Sequence, residues 1–209
     1  VRAQLNESEL ALYDRLHRKC QESLVFGGRP NLETSFGTLG AWLVRKAAYC
    51  LEEPTFLGRP ARDWLELHED DSKVQMEDEF FLPAVYERLR SDFGGRVVKK
   101  PERFGGEIDI LFDDTIPVEL KVRRGRKASI DVSDIEDRFP AGGQAAAYAA
   151  ISRLAFVVML DLPEDDIPGF NLESCATVLE RRFPENAAFP TCVVTMVFRC
   201  SSKRPSASR

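Results

Sequence analysis

Apolar positions between residues 6 and 24 recur at helical spacing: Leu10, Tyr13, Leu16 and Leu24 form a stripe, and Asn6 or Ser8 stands where an N-cap belongs. A stretch containing Gly, Pro and Asn covers 27–37 and reads as a loop. A second helix is expected over 38–53, packing through Leu39, Trp42, Leu43, Ala47, Cys50 and Leu51 and stopped by Pro54. Residues 65–79 are strongly acidic, with Glu66, Glu69, Asp70, Asp71, Glu77, Asp78 and Glu79 against Lys73 alone. They suggest a solvated connection into a third helix over 75–91 that buries Phe81, Leu82, Val85, Tyr86 and Leu89. Pro83 either kinks that helix or marks its first turn near 82, and Gly94-Gly95 ends it.

The period then changes from helical to two. Short strands are expected at 96–100, 107–112 and 117–123. An Ala-rich helix over 144–153 follows Gly142-Gly143, and the continuous apolar run 154–160 suits a strand covered on both faces. One more strand fits 191–199. The pattern predicts an α/β domain over 71–200, a helical extension over 1–70 and a disordered basic tail over 201–209.

At 209 residues, a folded chain buries about 70% of the surface its unfolded form exposes, so neither disulfides nor a structural metal is required. With 44% hydrophobic and 30% charged residues, disordered and fibrous classes are excluded. The net charge of -5 argues against a protein that coats nucleic acid. Charge is segregated, however: residues 96–127 carry nine basic and six acidic side chains, and 199–209 carry four basic and none acidic. The five cysteines (Cys20, Cys50, Cys175, Cys192 and Cys200) are scattered and match no metal spacing, which suggests reduced, buried thiols. No signal-peptide core or membrane-length apolar run is visible, and a cytoplasmic location is expected.

The candidate chemistry lies in the predicted hairpin. Ile108, Ile110 and Phe112 share one strand parity and Asp109 the other; Val118, Leu120 and Val122 leave Glu119 and Lys121 on the opposite face. If Asp113-Asp114-Thr115 is the turn and Phe112 pairs with Ile116, Asp109 falls directly across from Glu119. Two carboxylates at cross-strand distance repel unless a hard divalent cation is shared between them. Lys121, on the same face, could orient or deprotonate an attacking water and stabilise negative charge, completing the parts needed for phosphodiester hydrolysis.

Gly106-Glu107-Ile108-Asp109 and Glu119-Leu120-Lys121, followed by Gln144-Ala145-Ala146-Ala147-Tyr148, resemble the motifs of the PD-(D/E)xK nuclease superfamily. The last resembles the Q-x-x-x-Y motif of its RecB-like branch. The resemblance covers about residues 75–161, with Ile108 standing where the family usually has proline. It implies a restriction-endonuclease-like mixed sheet flanked by helices, with Asp109 and Glu119 as ligands of Mg²⁺ or Mn²⁺ and Lys121 as the catalytic lysine. Gln144 and Tyr148 would position substrate or water. The family's additional helix carboxylate has four candidates here, Glu77, Asp78, Glu79 and Glu87. Glu79 fits best if the helix runs on through Pro83, and would be a further metal ligand.

The basic run Lys121-Val122-Arg123-Arg124-Gly125-Arg126-Lys127, with Lys99 and Lys100 nearby, suggests phosphate contacts from Arg123, Arg124, Arg126, Lys127, Lys99 and Lys100 that grip a backbone without reading sequence. The expected function is a metal-dependent nuclease acting on DNA, or alternatively RNA. Two other readings stand beside it. One is a catalytically silent nuclease-like module, docking a protein partner or a second copy through the N-terminal helices. The other is a partner-activated effector of a bacterial defence system.

Overall fold

The computed structural model describes residues 4–52, 55–56, 59–60, 76–103, 106–125, 141–163, 171–181 and 191–200. Arg126, Lys127, most of the acidic run, the expected domain boundary near residue 70 and the tail from Ser201 lie outside them. Helix α1 spans Glu7–Glu22 and opens on a reciprocal cap: Glu9 N–H donates to Asn6 Oδ1 (2.9 Å) and Asn6 N–H to Glu9 Oε2 (2.8 Å). Its buried face carries Leu12, Tyr13, Leu16 and Cys20. Leu24, expected on that stripe, lies beyond the helix at positive φ and is 62% exposed. Helix α2 spans Pro30–Glu52, beginning eight residues before the expected start. Pro30 is a helix starter rather than a breaker at that position, and Leu32 and Phe36 prolong the apolar stripe by two turns.

The third helical element is divided. Met76–Phe81 form a π-helical turn, and helix α3 runs from Leu82 to Phe93 with Pro83 in its first turn. Proline has no N–H to donate, and the widened turn falls immediately before it. Gly94 takes φ 62° at the C-cap, donating its N–H to Arg90 O. Helix α4 spans Ala141–Ser152.

Among the described residues ten strands follow the chain: β1 (Thr55–Phe56), β2 (Arg59–Pro60), β3 (Val97–Lys99), β4 (Glu102–Arg103), β5 (Gly106–Glu107), β6 (Ile110–Phe112), β7 (Ile116–Gly125), β8 (Leu154–Pro163), β9 (Ala176–Arg181) and β10 (Thr191–Arg199). Six make a mixed sheet in the order β3-β6-β7-β8-β10-β9, and β1-β2 and β4-β5 are separate two-stranded ladders. β7, β8 and β10 are parallel neighbours, whereas β3, β6 and β9 run antiparallel to theirs. The expected Phe112–Ile116 register is present. Asp113 and Asp114 at the turn both take positive φ (53° and 56°), the sign a type I′ turn requires.

Helices α1, α2 and α3 cover one face of the sheet in a single large core with Val118, Leu120, Val122, Phe156 and Met196. The N-terminal helices therefore share their core with the sheet. Phe36 of α2 stacks on Phe156 of β8, with centroids 5.8 Å apart. A smaller core under α4 joins Ile108, Leu111, Ala145, Tyr148, Ala149, Ala155, Val157 and Val193. β8 and β10 are thus buried on both faces, which explains their near-continuous apolar sequences. All five cysteines are buried free thiols, as expected. Among the described residues, no helix is long and apolar enough to cross a membrane.

The β6–β7 turn is fastened to α2. Arg96 donates to both oxygens of Asp113 (2.7 and 2.6 Å), Ser35 Oγ donates to Oδ2 (2.6 Å), and the Arg96 guanidinium lies over the Phe112 ring. Burial alone would raise the Asp113 carboxyl, but these hydrogen bonds outweigh it and hold the pKa below its ordinary value. A depressed carboxylate stabilises the fold above the unfolded pKa of about 3.9, and that contribution is lost as pH falls through the folded value. Asp113→Asn should therefore cost about 1–2 kcal/mol at pH 7, and the gap from wild type should narrow as pH falls below the unfolded pKa of about 3.9 in thermal melts. In the core, Phe36→Ala should cost about 3–5 kcal/mol in denaturant titrations, because both faces of the ring are enclosed.

Candidate active site

β7 is ten residues long, but β6 pairs with it only at Ile116, Pro117 and Val118. Beyond Val118 its other edge continues along β8, while the edge facing β6 loses its ladder. Unpaired backbone donors there must find acceptors. Leu120 N–H donates to Asp109 Oδ2 at 2.8 Å, and Val122 N–H donates to Glu77 Oε1 at 2.9 Å. Two carboxylates thus replace the missing strand, standing two residues apart along one edge.

Asp109 itself lies in a bend between β5 and β6, not within a continuous strand as expected. The bend reverses the side-chain parity. Ile108 enters the α4 core with Leu111, whereas Ile110 and Phe112 enter the main core. What carries Asp109 to β7 is therefore this turn of the chain rather than simple alternation.

Glu119 and Lys121 project from β7 on the face opposite Val118, Leu120 and Val122. Lys121 Nζ lies 2.9 Å from Glu119 Oε1 and 3.4 Å from Glu77 Oε2. Glu119 is only 4% exposed, and among the described residues its buried Oε2 has no hydrogen-bond partner. Burial is the largest influence raising the Glu119 pKa, and the Asp109 charge adds to it. The Asp109 pKa is also raised, chiefly by burial, against the pull of the Leu120 N–H and the Lys121 charge. Burial disfavours the Lys121 ammonium, but Glu119, Glu77 and Asp109 together outweigh it and raise its pKa. The three carboxylates thus favour the charged ammonium of Lys121.

The helix carboxylate in this group is Glu77. Glu79, favoured by extending an α-helix through Pro83, is exposed, as are Asp78 and Glu87. The π-helical turn changes the angular step per residue and so turns a different acid toward β7. Its only sequence signal is the crowding of acids just before Pro83, and that does not select among them.

Tyr148 is buried, and its hydroxyl donates to the Glu107 carbonyl at 2.8 Å, tying α4 to the chain just before Asp109. A Cβ on Gly106 would stand 3.1 Å from that hydroxyl, a tight contact that would press on the ring where it crosses the strand. Gln144 is on an exposed part of α4. Arg123 lies 3.7 Å from Asp161 of β8, which also faces Arg199 of β10 at 3.4 Å, an alignment across three strands that the sequence reading missed. Lys99 is exposed, with its ammonium 5.9 Å from the Tyr86 ring, and Lys100 is held by Asp78 and Glu107. The Arg124 side chain, like Arg126 and Lys127, is outside the described set.

Among the described residues, no three His, Cys, Asp or Glu side chains are grouped as a ready metal cage. The donor set of Asp109 and Glu119 is still chemically suited to Mg²⁺, which takes one or two carboxylates and keeps several waters. The unpartnered Glu119 Oε2 is the atom such an ion would satisfy. The chain matches no protein-family model, no curated protein and no solved structure.

A buried carboxyl with a raised pKa stabilises the fold least when ionised: its contribution falls as pH rises from the unfolded value through the folded one. Glu119→Gln removes that penalty while keeping a carbonyl for Lys121. In metal-free buffer at pH 7, the variant should melt above wild type, and its advantage should shrink toward pH 4.

Proposed function

We propose that this chain is a metal-dependent nuclease with a restriction-endonuclease-like fold, hydrolysing phosphodiester bonds of DNA. The observation that carries the reading is the meeting of Asp109, Glu119, Lys121 and Glu77 where β7 outruns β6, with one buried Glu119 oxygen left unpartnered. Support also comes from the order of elements: an antiparallel hairpin bearing the acids, a crossover helix bearing Tyr148, then a parallel buried strand.

Asp109 and Glu119 would hold Mg²⁺ or Mn²⁺. Such an ion supplies Lewis-acid stabilisation of the phosphoryl group and a nucleophilic water at neutral pH. Glu77 and the Leu120 and Val122 amides keep the carboxylates aimed. The Lys121 ammonium stabilises negative charge that grows on the phosphoryl oxygens, a role for which its raised pKa keeps it charged. Tyr148 fixes the main chain before Asp109, and Gln144, exposed on the same helix, is available to substrate. Arg123 sits farther along β7, on the face of Glu119 and Lys121, where a phosphate backbone could reach it.

A partner-activated effector is favoured by one feature. Lys121 already pairs with both Glu119 and Glu77, so the cluster is partly charge-balanced without an added cation.

Incubated with plasmid DNA and Mg²⁺ or Mn²⁺, wild type should nick or cut it. Asp109→Ala and Lys121→Ala should each lower the rate by about 10²–10⁴-fold with unchanged folding by circular dichroism. Equal rates in all three would sink the assignment. If the isolated chain is inactive, calorimetry separates the alternatives: an effector awaiting its partner still binds Mn²⁺ through Asp109, and a silent module does not.

A further inference from the structure

Lys100 was expected to touch phosphate, and in the structure its ammonium is shared between two carboxylates, Asp78 and Glu107. Its φ of 47° is a left-handed conformation that costs a non-glycine residue free energy and persists only where surroundings enforce it. Three bonds do so. Its N–H donates to Asp109 O at 3.0 Å, and its ammonium lies 2.9 Å from Asp78 Oδ1 and 3.1 Å from Glu107 Oε1. The chain after it adds a fourth tie, with Ile108 N–H donating to Pro101 O at 3.2 Å.

These partners are not arbitrary surface acids. Asp78 adjoins Glu77 on the π-helical turn, and Glu107 lies two residues before Asp109. One side chain therefore joins the two separate segments that deliver carboxylates to the open edge of β7. Other ties hold each segment separately, Tyr148 and the β6 ladders on one side and the buried Met76 and Phe81 on the other, but Lys100 joins one to the other.

We propose that Lys100 is a positioning residue: by clamping Asp78 to Glu107 and holding the Asp109 carbonyl, it sets Glu77 and Asp109 against the Leu120 and Val122 amides and so prepares the divalent-ion site. The clamp itself follows from the metal-free geometry; its consequence for the ion rests on the nuclease reading above. Half-exposed ion pairs contribute little to global stability, so the effect is local. Lys100→Met keeps the chain length and removes the charge.

The test compares amide exchange by NMR in the full chain, in EDTA, with Mn²⁺ titration calorimetry and thermal melts. In Lys100→Met, Leu120 and Val122 should exchange at least about tenfold faster, while Val194 and Met196 in β10 are unchanged. The Mn²⁺ Kd should weaken about 10–100-fold, with Tm within about 2 °C of wild type. Asp78→Ser, which cuts the clamp at its other end, should reproduce the faster exchange at Val122. Unchanged exchange at both amides overturns the clamp, as does uniform acceleration through β10. Weaker DNA binding at unchanged Mn²⁺ Kd also overturns it, making Lys100 a phosphate contact instead. If wild type binds no Mn²⁺, the nuclease reading fails, and the exchange pattern alone decides whether Lys100 is a clamp.

Discussion

Backbone donors along one stretch of β7 have no strand to receive them, and the candidate site is built from the answer to that shortage. A buried amide left unmade costs about 1–3 kcal/mol, so the edge beyond Val118 demands acceptors. Water or a longer β6 could have met the demand. The chain uses carboxylates instead, one from the bend before β6 and one from the π-helical turn. Each is thereby oriented by a backbone N–H that cannot move without disturbing the central sheet. The site inherits its rigidity from β8 and β10, which hold β7 from the other side.

The same arrangement is electrostatically uncomfortable. Asp109 and Glu119 are both partly or wholly removed from water, which raises both pKa values, and the Asp109 charge raises that of Glu119 further, while Lys121 offsets only part of their charge. Packing alone gives no reason to place an acid with an unsatisfied oxygen at the centre of a sheet. Such local conflicts between stability and composition are expected where a chain is shaped for binding or chemistry. By contrast, the Asp113 network uses similar groups and leaves its acid with a lowered pKa, because Arg96 and Ser35 saturate it. One acidic cluster is structurally complete, and the other is not.

Much of this was legible in the sequence where a residue's own pattern decides the outcome. The strand 191–199, the two-faced burial of β8, a cap at Asn6 or Ser8, the Phe112–Ile116 register and the shared face of Glu119 and Lys121 all follow from local periodicity and turn chemistry. What escaped depended on backbone departures that periodicity does not encode. The bend at Asp109 moved Ile108 to the other core, and the π-helical turn exchanged Glu79 for Glu77. Lys100 escaped for a different reason: a lysine in a basic stretch reads as a surface cation, and only the fold reveals that two acids converge on it.

The two faces of the sheet divide the labour accordingly. On the side of α1, α2 and α3 the filling is continuous and aromatic, with Phe36, Phe112, Phe156 and Phe198 fully enclosed. On the side of α4 the apolar cluster is small, and polar residues follow it in register along the strands: Glu119, Lys121 and Arg123 on β7, Asp161 on β8 and Arg199 on β10. Because strand parity is fixed, a polar row on one face leaves the alternate residues free to build the core on the other. The large core can therefore carry the stability of the fold while the α4 face tolerates buried charge. That separation explains how a sheet with near-continuous apolar strands can hold a charged site at its middle. It also places Arg123 and Arg199, both paired with Asp161, on the same face as the carboxylates, so that this buried charge is balanced along the sheet.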